Sequence, residues 1–487
     1  MIGIKLNNST AHGTLLLMIG QVIFMFAGYG VNILLALKLH EIEYAKFAIV
    51  MVILVWVELF VINGLPTAMQ HFISRGKYNI DSIIQLGIKK QLIYCLLILA
   101  VFVCAVPICS LIFNDYSLRL LFWIASIDIF IYGMYWLYTG ILGGQRRFAC
   151  QAVSIIAYSI GKFGGVSIMI IAGYGVSGAL IGNWIGSIVG LLTAIKFVGA
   201  KNPKDSKVLT FANIRDFAVP IVLFTITINL LLSVDIFFVK LILSDLDVAY
   251  YYNASTLARI PYIVFLALSF TLLPVLSRTI AFGTESDVQR QIRKVFRYMI
   301  IILIPLVFFF WQNSIPIIKM FYSSKFANAA PILPYLTLGL SIFTLFYIIT
   351  TILNADNKPR LAFSLALITI VIDVITNYYL VKINGTIGAA QATTISSFVG
   401  LLIGGLFIYK RFKTLLPVVS VLRIFFVAIV TSIIFGFWVI EPVLVIPKAV
   451  IFSLIYFIGL LVIKEIEPGE IMDILVGRKG LLGKQSL

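Results

Sequence analysis

The sequence has little charge for its length. Only 12% of its 487 residues are charged and 61% are hydrophobic, whereas about 25% of an ordinary soluble domain is charged. Apolar runs repeatedly exceed the roughly 20 residues that are needed to cross the hydrocarbon core of a bilayer. The chain is therefore predicted to be an all-α integral membrane protein.

The sequence also lacks the motifs of soluble enzymes. Its four cysteines form no CxxC pair, so neither a disulfide framework nor a metal site is predicted. It has no Walker A motif, HExxH site or GxSxG elbow, and residues 173–178 match GxGxxG only in a turn between two membrane helices. No catalytic residue, metal or cofactor is predicted, apart from H⁺ or Na⁺ as a coupling ion.

Positive charge exceeds negative charge by 17, but the basic residues lie in short loops rather than on one folded face that could bind nucleic acid. Alternate loops carry Arg75, Lys77, Lys89 and Lys90; Arg146 and Arg147; Lys201, Lys204 and Lys207; and Arg290, Arg293 and Lys294. Because basic loops stay in the cytoplasm, both termini are predicted to be cytoplasmic. Membrane lipids, not nucleic acid, are the expected partners.

Apolar runs between polar breaks predict about fourteen transmembrane helices. The predicted spans are 13–38, 46–73, 90–113, 118–141, 152–172, 176–199, 214–243, 249–276, 297–320, 331–354, 360–381, 387–409, 419–440 and 443–463. They group into an N-lobe (1–200), a C-lobe (201–413) and a final helix pair with a tail (414–487). All connecting loops are short, which argues against a membrane glycosyltransferase or polymerase with a catalytic domain outside the bilayer.

The sequence repeats itself at a separation of about 210 residues. Ser187 and residues 189–192 recur as Ser397 and residues 399–402, so predicted helices 4 to 6 return as helices 10 to 12. Six helices separate the copies, so the two six-helix lobes have the same orientation, as in many alternating-access transporters. Small residues recur at four-residue spacing and predict close helix packing within each lobe, with dimerisation as the alternative. They are Gly182, Gly186 and Gly190, and then Ser396, Gly400 and Gly404.

Several segments resemble a known transporter superfamily. They are residues 43–47, 64–66, 249–251 and 273–278. Together with the two repeated bundles, they make the chain similar to the polysaccharide-biosynthesis branch, or Wzx-type O-antigen and capsule flippases, of the multidrug/oligosaccharidyl-lipid/polysaccharide (MOP) exporter superfamily. The fourteen helices also resemble lipid II flippases, whose final helix pair extends a lipid-facing groove.

This resemblance implies a function. Members of the branch move undecaprenyl-diphosphate-linked oligosaccharide outward across the bacterial inner membrane, with a polysaccharide polymerase and a chain-length regulator as expected partners. The predicted mechanism is rocking of two lobes around a cationic cavity. The alternative is an ion-coupled multidrug exporter of the MATE type, whose cavity should be acidic.

Charged residues deep within apolar helices are costly and are therefore candidates for function. This chain has six: Glu58, Asp128, Lys162, Asp235, Arg259 and Asp373. Arg259 is the first choice for binding the diphosphate, because a guanidinium holds two phosphate oxygens and keeps its charge when desolvated. The alternative is an ion pair with Glu58 or Asp235 that only fastens the lobes.

Lys162 is the second predicted phosphate ligand. The repeat places it at the position of Asp373, and a bridge between the two would either gate the cavity or form a static pair. Asp128 and Asp235 are the main candidates for coupling to H⁺ or Na⁺, with Asp373 and Glu58 beside them, because buried carboxylates can take up protons or cations. Hydrogen-bonded packing is the alternative role of these acids.

Overall fold

The computed structural model describes residues 10–75, 79–199, 211–414, 416–438 and 441–466. Within them the chain is helical and contains no strand. The first helices are α1 (Thr10–Lys38), α2 (Glu41–Asn63), α3 (Leu65–Ser74), α4 (Ile80–Ile112), α5 (Leu118–Gly144), α6 (Phe148–Ile171), α7 (Gly175–Phe197) and α8 (Phe211–Leu231). The others are α9 (Val234–Ile242), α10 (Asp245–Ala258), α11 (Ile260–Phe282), α12 (Glu285–Tyr322), α13 (Ile332–Ala355), α14 (Pro359–Phe412), α15 (Val418–Gly436) and α16 (Val445–Val462), with 3₁₀ helices at Ser324–Ala329 and Pro442–Leu444.

The predicted all-α membrane fold is confirmed. In the described ranges, eleven helical segments are long and apolar enough to cross a membrane, and twelve if α8 and α9 form one span. The count of fourteen and the cytoplasmic termini stay predictions, because residues 1–9 and 467–487 lie outside the described part. The same holds for the predicted basic residues Lys77, Lys201, Lys204 and Lys207.

α14 reverses direction at Gly385. Its 54 residues would extend about 80 Å in a straight helix, yet Ser396 Oγ donates a hydrogen bond to Asp373 Oδ1 at 2.7 Å. Gly385 has φ 59° and ψ −138°, a backbone conformation that glycine adopts without steric cost. α14 therefore consists of two antiparallel limbs, which match the separate spans predicted near 360–381 and 387–409.

Three predicted spans are broken into two helices each. Residues 46–73 are divided at Gly64, just before Pro66, which has no N–H to continue the hydrogen-bond ladder. Residues 249–276 are divided at Arg259, just before Pro261. The span 214–243 is divided between α8 and α9. Sequence hydropathy does not detect such breaks, because the apolar run continues through them.

The helices form two compact units. Unit 1 comprises Met1–Ser233 with Ser244–Ala249, and unit 2 comprises Val234–Leu243 with Tyr250–Leu487. The predicted N-lobe, residues 1–200, lies inside the bounds of unit 1, and the lobe boundaries themselves stay a prediction.

In unit 1, glycines bring α6 and α7 close together. A Cβ added at Gly182 would lie 2.5 Å from Val166 Cα, and one at Gly186 would lie 2.6 Å from Lys162 Cβ. A Cβ added at Gly190 would lie 2.9 Å from Tyr158 Cβ. These three glycines are one helical turn apart, so the predicted close packing within the lobe is confirmed for unit 1.

Unit 2 is centred on α12, which bends at Asn313 (φ −120°, ψ 23°) three residues before Pro316. Proline removes one backbone donor, which is a common cause of kinks. Beyond α16, the buried carboxylate of Glu465 forms ion pairs with Arg297 of α12 at 2.9 Å and with Arg423 of α15 at 3.6 Å. The last two helices are thereby fastened to α12.

The two repeat copies end their first helix in the same way. Arg146 and Asn357, 211 positions apart in sequence, both have left-handed φ values, 56° and 60°. In each copy the next amide reaches back five residues, from Arg147 to the Leu142 carbonyl and from Lys358 to the Leu353 carbonyl, at 2.9 Å. This is the Schellman helix end, and its recurrence supports the internal repeat at the level of backbone geometry.

Candidate functional site

Unit 2 contains a buried carboxylate pair, Asp235 on α9 and Asp373 on α14. Asp235 is 3% exposed and Asp373 is fully buried. Tyr251 donates its hydroxyl to Asp235 Oδ2 at 2.5 Å, and Thr393 approaches the same oxygen at 3.5 Å. Since Ser396 holds Asp373 from the second limb of α14, the reversal at Gly385 is what assembles this cluster.

Some acceptors in this cluster have no donor. Asp373 Oδ2 and the side-chain oxygen of Asn377 are buried without a hydrogen-bond partner. Buried polar atoms are nearly always satisfied in proteins, so orphan acceptors call for a proton, a cation or a water. Within the described residues no three His, Cys, Asp or Glu side chains are grouped as a metal site, so a cation here would rely on hydroxyl and amide oxygens as well.

Arg259 lies at the break between α10 and α11, where the helix ladder is interrupted. Its charge acts on Asp235, which is one of the two partners predicted for it. The other predicted partner, Glu58, belongs to unit 1. Arg259 is therefore the cation of the unit 2 cluster.

An apolar groove of about 580 Å³ in unit 2 is lined by residues that flank Arg259 in sequence, though not by Arg259 itself. Its walls are Leu257 and Ile260, then Phe309, Phe310, Ile317, Met320 and Phe321 of α12, and Val445, Ile446, Ala449, Val450, Ser453, Leu454 and Phe457 of α16. The α12 residues lie on both sides of the bend at Asn313, so the bend shapes the groove. Ser453 is the only lining residue with a hydroxyl group.

Unit 1 holds the other three predicted residues. Glu58 of α2 and Asp128 of α5 are 6% and 4% exposed, and Lys162 of α6 is partly accessible. The ammonium of Lys162 attracts both carboxylates, which repel each other. It also lies 5.9 Å from the ring centre of Tyr158, which stacks on Tyr135 at 5.1 Å.

The six predicted residues thus fall into two clusters, each with two carboxylates and one cation. The predicted bridge between Lys162 and Asp373 would join residues of different units and stays a prediction. Sequence reasoning missed Tyr251, Thr393, Ser396 and the groove. Hydroxyl residues are common in membrane helices, so nothing in the sequence distinguishes these three.

Comparisons with known proteins agree with this architecture. A family model described as lipid II flippase MurJ matches residues 116–459. The lipid II flippase MurJ of Bacillus subtilis (strain 168) is 27% identical over 158 residues, which are 32% of this chain and 29% of that protein. The chain spans less than a third of the length of the curated relatives it matches.

Solved structures show the same fold. Lipid II flippase MurJ in an inward closed conformation has a TM-score of 0.74 at 19% identity, covering 95% of this chain and all of that one. An inward-facing MATE-family multidrug transporter of the MOP superfamily has a TM-score of 0.66 at 13% identity, covering 80% of this chain and 95% of that one. At these identities the likeness is one of fold, and the predicted polysaccharide-biosynthesis branch stays a prediction. Because the family model matches well over half of the chain, this protein belongs to the MurJ lipid II flippase family.

Proposed function

We propose that this protein is a transporter, not an enzyme, that flips a polyprenyl-diphosphate-linked saccharide across the cytoplasmic membrane. One observation carries the proposal: Arg259 lies between Leu257 and Ile260, two residues that line the apolar groove. A cation for a diphosphate and a surface for a hydrocarbon chain are thus adjacent. These are the two chemically different parts of such a lipid.

The groove suits the lipid tail. Its walls are mainly aliphatic and aromatic side chains of α12 and α16, which offer an isoprenoid chain an apolar surface. α16 is the last helix of the predicted final pair, and Glu465 fastens that pair to α12 through Arg297. The tail therefore stays in an apolar environment while the head group crosses.

Arg259 has two possible partners in this mechanism. In the empty protein its charge acts on Asp235, and a diphosphate would compete for the same guanidinium. When the diphosphate takes Arg259, the Asp235–Asp373 pair loses its counter-charge and binds H⁺ or Na⁺ more tightly. Substrate and coupling ion then favour each other's binding by linkage.

The saccharide and the membrane partners are finer parts of the proposal. Family membership favours lipid II as the substrate, while the O-antigen or capsule repeat unit is the second candidate. A polymerase and a chain-length regulator would accompany only the second. The excess of carboxylates over cations in each cluster would suit a MATE-type exporter, but the MATE likeness is one of fold at 13% identity, whereas the family match favours flipping.

The test is flipping in proteoliposomes that contain fluorescent lipid II, a polyprenyl-diphosphate repeat unit, or a cationic dye, with H⁺ and Na⁺ gradients imposed. We expect the wild type to expose one of the two lipids to an impermeant quencher. Arg259→Ala should reduce the rate at least tenfold, which corresponds to about 1.4 kcal/mol of lost interaction.

The matched control is Arg290→Ala, because Arg290 is an arginine of unit 2 whose side chain is 73% exposed. It should flip at the wild-type rate. Dye export without flipping of either lipid would overturn the proposal in favour of a drug exporter. Flipping at the wild-type rate by Arg259→Ala would keep the function but remove the assigned phosphate site.

A further inference from the structure

The cluster in unit 1 has an unbalanced charge. Two carboxylates, Glu58 and Asp128, share one ammonium, that of Lys162. The three residues come from α2, α5 and α6, so each is held by a separate helix. If both acids are ionised, one negative charge remains in a site where both carboxylates are more than nine-tenths buried.

Among the described residues, Lys162 is the cation that acts on both carboxylates. Titratable groups that face it are Tyr132 and Tyr135 of α5 and Tyr158 of α6, which are neutral phenols at ordinary pH. α1 contributes the ring of Phe24, stacked on Tyr158 at 5.6 Å, and α7 contributes the hydroxyl of Ser187 beside Asp128. An isolated buried charge is strongly unfavourable, so the ionised state of this cluster is incomplete.

Unpaired atoms in the cluster indicate what completes it. Asp128 Oδ1 and Ser187 Oγ are both buried without a hydrogen-bond partner. Although the Ser187 hydroxyl neighbours the Asp128 carboxyl group, the two do not form a hydrogen bond of normal geometry. A protonated carboxyl gains a donor that an ionised carboxylate lacks. A single proton therefore supplies the charge and lets the Asp128 carboxyl donate to the Ser187 oxygen, whose own hydroxyl can donate in turn.

We propose that Glu58 and Asp128 together hold one exchangeable proton, and that Lys162 sets this number at one. The proton binds to a carboxylate oxygen of either acid, and on release it leaves the carboxylate ionised. This site is additional to the Asp235–Asp373 cluster. It does not depend on which substrate is flipped, because protonation can be measured without lipid substrate.

The internal repeat explains why this site takes a proton rather than a metal cation. Lys162 occupies the position that Asp373 occupies in the second repeat copy. An ammonium already present in the cluster repels a second free cation, whereas a proton forms a covalent O–H bond and needs no shell of oxygen ligands. A Cβ added at Gly186 would lie 2.8 Å from the Lys162 backbone, so α7 packs closely against the helix that carries the lysine.

The experiment is infrared difference spectroscopy of the protein in lipid nanodiscs, recorded between acidic and alkaline pH in Na⁺ and in K⁺ buffers. The probe is the carbonyl stretch of protonated carboxyl groups. We expect one component of the carbonyl stretch band that Na⁺ does not change. It should disappear in both Glu58→Gln and Asp128→Asn. Glu43→Gln, which alters an exposed acid on the same helix, should retain it.

Lys162→Met provides the decisive variant, because a misfolded protein would lose signal rather than gain it. Without the ammonium, two protons are needed to neutralise the two acids, so the intensity of the carbonyl component should double. A component that survives Glu58→Gln, that Na⁺ abolishes, or that Lys162→Met leaves unchanged would overturn the proposal.

Discussion

Gln91 joins three helices through one buried side-chain amide. Its amide, fully buried in α4, donates to the Val61 carbonyl of α2 at 2.9 Å and to the Gly133 carbonyl of α5 at 3.0 Å. Val61 belongs to the last turn of α2, whose carbonyls have no partner within the helix. One amide group therefore ties three helices together at a point where a backbone ladder ends.

We expect Gln91→Leu to lower the stability of the protein by about 1–3 kcal/mol, because leucine keeps the volume but leaves buried carbonyls without a donor. The measurement is the thermal unfolding midpoint in detergent. Ser364→Ala is the control, since Ser364 makes only an exposed hydrogen bond to its own helix at Arg360. Equal midpoints for Gln91→Leu and wild type would contradict this role for the amide.

Residues of the candidate sites differ in how well the sequence reveals them. Asp235, Asp373 and Arg259 could be predicted, because a charge inside an apolar run is conspicuous and costly. Their neighbours Tyr251 and Ser396 could not, because their importance arises only from tertiary contacts. Which cation belongs with which carboxylate also depends on how the helices pack, and helix packing is not a local property.

At the level of helices, glycine spacing predicts packing, whereas hydropathy locates the spans but not the breaks within them. The four-residue spacing of small residues on α7 predicts close packing within the lobe, since every fourth residue returns to one face. The structure shows that α6 is the partner helix. The breaks at Gly64 and Arg259 were missed, although Pro66 and Pro261 follow them closely. A proline two residues after a candidate break is thus a stronger signal than the length of an apolar run.

Close packing of α6 on α7 leads to a paired prediction. Gly186→Ala would place a methyl group 2.6 Å from Lys162 Cβ and 2.8 Å from its backbone, so the helices must separate, at a cost of about 1–3 kcal/mol. Gly164→Ala on α6 meets nothing within 4 Å and should gain up to about 1 kcal/mol from helix propensity. Thermal unfolding measures both, and equal shifts would refute the packing argument.

For the whole molecule, the repeat predicts which turns share a side of the membrane. The turns at Arg147 and Lys358 are equivalent copies, and an even number of spans separates equivalent positions in a parallel repeat. They carry basic residues, so we predict that both lie on the cytoplasmic side. Tyr174 and Ile383, which are 64% and 73% exposed, lie at the opposite helix ends.

Single cysteines in a cysteine-free background would test this arrangement with an impermeant thiol reagent. We expect Tyr174→Cys and Ile383→Cys to be labelled in intact cells. Arg147→Cys and Lys358→Cys should react only after the membrane is permeabilised. Labelling of the last two from different sides would be incompatible with two lobes of the same orientation.

The reversal at Gly385 also limits how this region can change in length. One non-helical residue joins the limbs of α14, so the turn sets the rotational phase of the second limb as well as its direction. Inserting a single residue there would rotate that limb by about 100° around its axis. Thr393 and Ser396 would then turn away from Asp235 and Asp373. Asp373 would lose the Ser396 hydroxyl and Asp235 would keep only that of Tyr251, while every helix remained intact.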